Sequence, residues 1–202
     1  MQYKFITFEG ADGTGKTTQI QKTAQFLREK GYDVVTTREP GGTKLAESIR
    51  AILLNKKENI PLKAELLLFL AARVEHMETI IKPALSAGKI VLCDRFMDST
   101  FIYQGYVGGL PLHDIDMLNT FATDHIVPDL TILLDADPAK LLSRRNARDI
   151  HDKFEDKSLA FQQGIRQGFL EEAAFYPKRI QIVNAARPID VVQQDIQHIL
   201  LS

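Results

Sequence analysis

The sequence predicts an α/β protein in which a five-stranded parallel β-sheet is flanked by helices. Five short segments rich in apolar residues recur along the chain, and helical patterns separate them. Most of the five are apolar throughout rather than alternating, as in parallel strands that are covered on both faces. Because parallel neighbours are joined by right-handed crossovers, the expected sheet is doubly wound.

The bounds of these elements follow from the local patterns. The strands are expected at Tyr3–Glu9, Asp33–Thr37, Ile90–Asp94, Leu130–Asp135 and Ile180–Asn184. The helices are expected at Lys16–Lys30, Lys44–Leu54, Leu62–Ser86, Asp98–Gln104, His113–Thr123, Pro138–Asn146, Ser158–Phe175 and Ile189–Leu201. The charged stretch Arg144–Ser158 is either a solvated surface loop or a mobile lid.

Length and composition restrict the class of protein. A chain of 202 residues is the size of one α/β domain, at most with a small lid. Its 25 basic and 26 acidic residues argue against a general nucleic-acid binder or a polybasic membrane surface. The longest apolar run, Leu66–Ala72, is far shorter than the roughly 20 residues of a membrane helix. With one cysteine, Cys93, and no signal-peptide pattern, we expect a soluble cytoplasmic protein.

The segment GADGTGKT, from Gly10 to Thr17, fits the phosphate-binding pattern G-x-x-x-x-G-K-[ST]. Its glycines allow backbone N–H groups to surround phosphate oxygens, and the following helix adds the positive end of its dipole. Lys16 is expected to reach the outer phosphates of ATP, and the Thr17 hydroxyl to bind Mg²⁺. A glycine-rich turn without a ligand is the alternative. The chain lacks the signatures of a GTPase switch and of an ABC-type ATPase, which leaves a small-molecule kinase as the best class.

Charged side chains lie at or directly after the ends of the second and third predicted strands, where the ligand crevice of an open α/β sheet lies. Asp94 is expected near the magnesium ion. Arg38 and Arg95 would hold an acceptor that is itself a phosphate monoester, because the planar guanidinium suits a phosphate group. A surface Asp–Arg pair and a plain turn at Pro40–Gly42 are the alternatives.

The long helical pattern Leu62–Ser86 places Phe69 and Arg73 on one face, four residues apart. Phe69 would stack on a base while Arg73 bonds the edge of that base. A core role for Phe69 is the alternative. The pattern is apolar over more than one face, which also suggests a homodimer packed through this helix.

Five segments together resemble bacterial thymidylate kinases, in that family's order and spacing and over essentially the whole chain. They are FEGADGTGKTTQ, REPGGT, LLLFLAARVEH, VLCDRFMDSTFIYQG and the later arginine-rich segment. The second and fourth are far more specific to the family than the phosphate-binding loop. The resemblance implies one domain over residues 1–202 with the three-layer P-loop kinase fold and a small mobile lid at about 144–158.

The resemblance also implies a set of site residues. Those expected to bind ATP are Gly10, Ala11, Asp12, Gly13, Thr14, Gly15, Lys16, Thr17, Thr18, Arg144 and Arg148. Those expected to bind the acceptor are Asp12, Arg38, Glu39, Pro40, Phe69, Arg73, Arg95, Ser99, Thr100, Tyr103 and Gln104. The expected catalytic residues are Lys16, Arg148, Asp12 and Arg95, and the expected metal ligands are Thr17, Asp94 and Asp12.

The lid is expected to supply an arginine to the transferred phosphoryl group. The variable positions of the phosphate-binding loop contain no arginine, where eukaryotic relatives have one, so the resemblance implies the bacterial arrangement. Arg148 is the first choice and Arg144, one helical turn away, the second; a solvated charged face is the alternative. Four residues depart from the family's usual pattern: Lys153, Glu75, Ile102 and Phe169. Of these, Ile102 would narrow the sugar pocket, and Phe169 would remove a hydroxyl near the acceptor.

The expected reaction converts ATP and thymidine 5′-monophosphate (dTMP) into ADP and thymidine 5′-diphosphate (dTDP), a step of dTTP biosynthesis, with Mg²⁺ as cofactor. The acceptor oxygen is already anionic, so the protein needs only to align the substrates and neutralise charge. Another deoxynucleotide or deoxynucleoside kinase is one alternative, and an ATP-dependent regulatory module is another. The latter would leave the base-reading residues unexplained.

Overall fold

Five parallel strands form the centre of the fold, in the order β2-β3-β1-β4-β5. The structure is a computed structural model, and it describes residues 2–55, 57, 59–141 and 158–201. The strands are β1 (Phe5–Glu9), β2 (Val34–Arg38), β3 (Ile90–Asp94), β4 (Leu130–Asp135) and β5 (Ile180–Asn184). This is the predicted sheet, with the strand that enters the phosphate-binding loop in the middle.

Helices connect the strands. They are α1 (Lys16–Glu29), α2 (Lys44–Leu53), α3 (Leu62–His76), α4 (Lys82–Ser86), α5 (Met97–Thr100), α6 (Leu112–Ala122), α7 (Leu159–Phe175) and α8 (Ile189–Leu201). A π-helical segment, Met77–Ile81, joins α3 to α4, and a second, Phe101–Val107, continues α5. Helical backbone also occupies 138–141, where the described range ends. No helix among the described residues is long and apolar enough to cross a membrane.

The core lies on both faces of the sheet because alternate strand residues point to opposite sides. On one face, Ile6 and Phe8 of β1 pack with apolar residues of α1 and α8. On the other, Phe5 packs with Met77 and Phe96. Helices therefore cover both faces, and the three-layer arrangement follows from buried residues at successive positions of β1, β3 and β4.

The structure alters the predicted bounds at several places. β1 starts at Phe5 rather than Tyr3, and β2 extends to Arg38 because that residue pairs with Asp94 of β3. The predicted helix Leu62–Ser86 is continuous in space but contains the π-helical segment. The predicted helix Asp98–Gln104 is longer, and runs on to Val107. Residues 142–146 of the predicted helix Pro138–Asn146 lie outside the described residues.

Candidate active site

The carboxyl ends of β1, β2 and β3 open onto a cleft of about 260 Å³. Its walls come from the phosphate-binding loop, the turn after β2, α2, α3 and the segment after β3. The lining residues are Asp12, Gly13, Gly15, Lys16, Thr17, Arg38, Glu39, Pro40, Arg50, Leu54, Phe69, Arg73, Asp94, Arg95, Phe96, Ser99, Thr100, Tyr103 and Gln104. All the residues predicted to bind the acceptor are in this set, although four separate parts of the chain supply them.

The phosphate-binding loop starts with a glycine that no other residue could replace without strain. Gly10 has φ +132°, and a Cβ there would approach the carbonyl oxygen of Leu134 to 2.4 Å. At the end of the loop, buried Lys16 donates hydrogen bonds to the carbonyl oxygens of Gly10 (3.0 Å) and Ala11 (3.1 Å). Burial, followed by the nearby charge of Arg95, lowers the pKa of Lys16. A polyanionic ligand would therefore relieve an ammonium group that is held out of water.

Two oxygen-bearing side chains meet beside the loop. The Thr17 hydroxyl, at the start of α1, donates a hydrogen bond of 2.9 Å to the Asp94 carboxylate at the end of β3. Mg²⁺ prefers oxygen ligands, and proteins usually supply one or two carboxylates while substrate phosphates supply the rest. This donor set fits the predicted metal. Across residues 2–55, 57, 59–141 and 158–201, no three His, Cys, Asp or Glu side chains gather to form a metal site of their own.

Arg95 is held from three sides in an unusual backbone conformation. Its φ of 68° lies in the left-handed region, which is uncommon for a residue with a side chain. Its guanidinium donates to Asp12 Oδ1 at 2.6 Å and to the Ser99 hydroxyl at 3.1 Å. The same group lies over the ring of Tyr103, 5.3 Å from the ring centroid. Such support fixes the direction in which the guanidinium points into the cleft.

Arg38, the other predicted phosphate ligand, also lines the cleft and is about half exposed. It pairs with Glu47 of α2, at 2.9 Å and 3.1 Å from the two carboxylate oxygens. Glu47 also accepts the backbone N–H of Gly42. A Cβ at Gly42, whose φ is +88°, would meet the side chains of Thr37 and His76 at 2.8–2.9 Å. The glycines of REPGGT therefore allow a tight turn that brings Arg38 and Glu39 to the cleft.

The base-reading arginine proposed from the sequence, Arg73, is only 2% exposed. Its Nε donates to Glu39 Oε2 at 2.8 Å, and its other nitrogens donate to Thr100 and Asn119. Burial alone would raise the pKa of Glu39, but the charges and hydrogen bonds of Arg73 and His76 outweigh it and lower that pKa. Of the five donors of a guanidinium, these partners leave at least one for a ligand, as far as the described contacts go.

Phe69 and Gln104 complete this end of the cleft. Phe69 is half-buried: it lines the cleft and also packs against Ala46, Ile49 and Leu53 of α2. The base-stacking and core interpretations of Phe69 are therefore compatible. Gln104 donates from Nε2 to the buried Glu65 at 2.9 Å. The amide oxygen of Gln104 takes no part in this bond.

Sequence reasoning missed several residues of the cleft wall. Arg50 of α2 and Leu54, which directly follows α2, are four residues apart, a spacing that the helical period would have revealed. Arg50 donates to the carbonyl oxygen of Pro40 at 2.9 Å. Phe96 follows Arg95 directly. Glu9 lies just beneath the cleft, wholly buried, and its one sequence signal is an acidic residue at the end of an apolar strand.

Some predicted residues lie elsewhere. Four residues of the phosphate-binding segment do not line this cleft: Gly10, Ala11, Thr14 and Thr18. Arg144, Arg148 and Lys153 lie outside the described residues. Ile102 and Phe169 are buried in a cluster with Leu133 and Ile165, and neither lines the cleft, so their effects on the sugar pocket and on the acceptor stay predictions. Their apolar surface favours the core over a polar cleft.

Known proteins share both this sequence and this fold. The family model for thymidylate kinase matches residues 8–196. Thymidylate kinase of Symbiobacterium thermophilum is 44% identical over 197 residues, which cover 97% of this chain and 92% of that protein. Thymidylate kinase of Geobacillus sp. (strain WCH70) is 46% identical over 195 residues, 95% of this chain and 93% of that protein. The crystal structure of thymidylate kinase from Ehrlichia chaffeensis superposes with a TM-score of 0.80 at 40% identity, covering 98% of each chain. The chain therefore belongs to the thymidylate kinase family.

Proposed function

We propose that this chain transfers the γ-phosphoryl group of ATP to dTMP, giving ADP and dTDP, as a step of dTTP biosynthesis. The observation that carries the proposal is the single cleft in which the phosphate-binding loop faces Arg95, Phe69 and Arg73. A protein that bound only ATP would need no such second half. Membership of the thymidylate kinase family supports the same reaction.

On the donor side, the loop backbone and Lys16 would hold the phosphates of ATP. Thr17 and Asp94 would bind Mg²⁺ together with phosphate oxygens, and Asp12 would lie close enough to act through water. When bound, Mg²⁺ neutralises charge on the phosphates. Arg144 and Arg148 are proposed to add positive charge from the lid segment, and this role stays a prediction.

On the acceptor side, each group has a chemical counterpart in dTMP. Arg38 and Arg95, which both line the cleft, supply guanidinium donors for a phosphate monoester. Phe69 offers an apolar face for the thymine ring. Arg73 and Gln104 offer polar groups to its edge, and Thr100 sits between them.

Tyr103 closes the part of the cleft between the proposed phosphate and base regions. Its ring stacks under the Arg95 guanidinium and meets Phe161 of α7 edge-on at 6.3 Å. We propose that it packs under the deoxyribose, where its bulk would disfavour a 2′-hydroxyl group. Asp12 would face the 3′-hydroxyl from the opposite wall.

The test is a coupled ADP-release assay with ATP, Mg²⁺ and a panel of nucleosides and nucleoside monophosphates. We expect turnover with dTMP and at least tenfold lower kcat/KM with thymidine, because thymidine offers no phosphate to Arg38 and Arg95. Turnover with thymidine but not dTMP would identify a nucleoside kinase instead. Absence of turnover with every acceptor would favour an ATP-dependent regulatory module.

We further propose that two copies of the chain associate through α3 and α6, which pack against each other. Leu67 (57% exposed) and Val74 (38%) lie on the outer side of α3, and Met117 (55%) and Phe121 (77%) on the outer side of α6. Exposed large apolar side chains at helical spacing on two adjacent helices are typical of a protein interface.

A further inference from the structure

Glu9 joins the two halves of the cleft. It is the last residue of β1 and directly precedes Gly10, where the phosphate-binding loop begins. Its side chain reaches the segment after β3. There Oε1 accepts the backbone N–H groups of Phe96 (2.7 Å) and Ser99 (3.3 Å), and Oε2 accepts the Ser99 hydroxyl at 2.6 Å.

The chain of hydrogen bonds beyond Glu9 has a defined direction. The Ser99 hydroxyl also accepts a hydrogen bond from Arg95 Nη1, at 3.1 Å. A guanidinium has donors only, and an ionised carboxylate has acceptors only. Ser99 must therefore donate its single proton to Glu9 and present a lone pair to Arg95. The Glu9 carboxylate thus orients the hydroxyl that holds the guanidinium.

Arg95 needs such support because its own geometry is costly. Its left-handed φ is maintained by a hydrogen bond from its backbone N–H to the carbonyl oxygen of Phe8, the residue before Glu9. A second hydrogen-bond partner of the guanidinium, Asp12, lies in the phosphate-binding loop. One continuous segment therefore holds Arg95 in three ways. Phe8 bonds to its backbone, Glu9 acts through Ser99, and Asp12 bonds to its guanidinium.

We propose that Glu9 is a positioning residue, which through Ser99 fixes the Arg95 guanidinium where it meets the phosphate of the acceptor. The inference rests on the proposed function. It assigns the buried carboxylate a role in acceptor affinity, beyond the stability that any well-packed strand residue provides.

Glu9→Gln is the informative substitution. The amide oxygen can keep the two backbone hydrogen bonds of Oε1, but the amide nitrogen is a donor and would face the Ser99 hydroxyl. Ser99 would then have to accept from both Gln and Arg95 and to turn its proton away from residue 9, which reorients the lone pair that faces Arg95. We expect the KM for dTMP to rise about tenfold, as for the loss of a hydrogen bond to a charged group, while the KM for ATP stays within about twofold.

Ser99→Ala removes the middle of the same chain and is expected to raise the KM for dTMP by a similar factor. The double variant should be no worse than Glu9→Gln alone, because the two residues act through one path. Thr7→Val is the matched control: Thr7 is buried on the same strand and bonds to Thr131 instead. It is expected to lower the melting temperature and to leave the KM for dTMP unchanged.

Burial, followed by the charge of Asp98, raises the pKa of Glu9 to about 7. The assays are therefore run at pH 8, where the Glu9 carboxylate is ionised. An active wild type combined with an unchanged KM for dTMP in Glu9→Gln would overturn the positioning role and leave the proposed function standing. The positioning role would also be overturned if the KM for dTMP in the double variant rose by the product of the two single increases. If Glu9→Gln does not fold, Ser99→Ala decides, and an unchanged KM there overturns the inference. A wild type without activity on dTMP would overturn the proposed function and this inference together.

Discussion

Individual side chains in the cleft serve the fold and the ligand at once. Arg73 ties α3 to Glu39 after β2 and to Thr100 of α5, so its position is fixed before any ligand arrives. Phe69 divides its surface between the α2 packing cluster and the cleft. Groups held in this way lose little conformational entropy on binding, which favours affinity.

Phe69→Ala tests this division of surface. We expect the Kd for dTMP to rise about tenfold or more and the Kd for ATP to change less than about twofold, because the ring is proposed to stack on thymine and not on the adenine nucleotide. Leu68→Ala is the control, since Leu68 packs in the same cluster but does not line the cleft. Isothermal titration calorimetry gives both constants. Equal losses for the two nucleotides would indicate a core role alone.

The elements were predictable where local pattern determines them, and less so where distant contacts do. The strands and most helices follow from apolar runs and the helical period. The π-helical segments at Met77 and Phe101 do not, because a one-residue widening leaves the apolar pattern readable as an α-helix. The role of Glu9 depends on contacts 87–90 residues away in sequence, which no local pattern contains. The residues of the cleft could be predicted because their sequence motifs resemble those of a known family.

A second group of buried charged side chains, apart from those around Glu9 and Arg95, links α5 to α7 and β4. Asp98 receives two hydrogen bonds from Arg179, at 2.7 Å and 2.9 Å, and one from the Thr131 hydroxyl. Glu172 of α7 lies at the edge of this group, 4.0 Å from Arg179. Burial, followed by the charge of Asp98, raises the pKa of Glu172 to about 10. The folded chain therefore keeps a proton on Glu172 at neutral pH.

This proton gives the stability a pH dependence with a definite sign. An unfolded glutamate loses its proton near pH 4.5, so above that value the folded chain binds one proton more than the unfolded chain. The free energy of unfolding must then fall as the pH rises toward 10, by up to about 1.4 kcal/mol for each pH unit. We expect Glu172→Gln to remove this decline between pH 7 and 9, a range in which Glu9, whose pKa is about 7, still titrates only at the lower end.

Urea unfolding of both proteins at pH 7, 8 and 9 measures the difference. Glu171→Gln is the matched control, since Glu171 is exposed and bonds to Gln167 and Tyr106. It should leave the wild-type decline in place. Parallel pH profiles for the wild type and Glu172→Gln would contradict a raised pKa at this position.

At the scale of the whole molecule, α3 has two working sides. One side carries Phe69 and Arg73 into the cleft, and the other exposes Leu67 and Val74. A dimer formed through the exposed side would bury apolar surface directly behind the base-binding wall. Association and acceptor binding would then involve the same helix, although through different residues.

Leu67→Glu tests the proposed association. A charge placed in an apolar interface loses hydration without gaining a partner, so we expect the variant to sediment as a monomer at concentrations where the wild type is dimeric. Leu201→Glu, on α8 and 64% exposed, is the control and should leave the dimer intact. Sedimentation velocity distinguishes the two species. A wild type that is monomeric at every concentration tested would remove the proposal.

The adjacency of Glu9 and Gly10 has a consequence for protein engineering. One peptide unit, about 3.8 Å between Cα atoms, separates Glu9, which is proposed to position Arg95, from Gly10, the first residue of the phosphate-binding loop. A chimaera that takes a foreign phosphate-binding loop in place of residues 10–17 would keep Glu9 but would lose the hydrogen bond from Arg95 to Asp12, unless the new loop carries an acidic residue at that position. A crossover placed upstream of β1 would replace Glu9 and the phosphate-binding loop together. An insertion between Glu9 and Gly10 would displace one nucleotide site relative to the other.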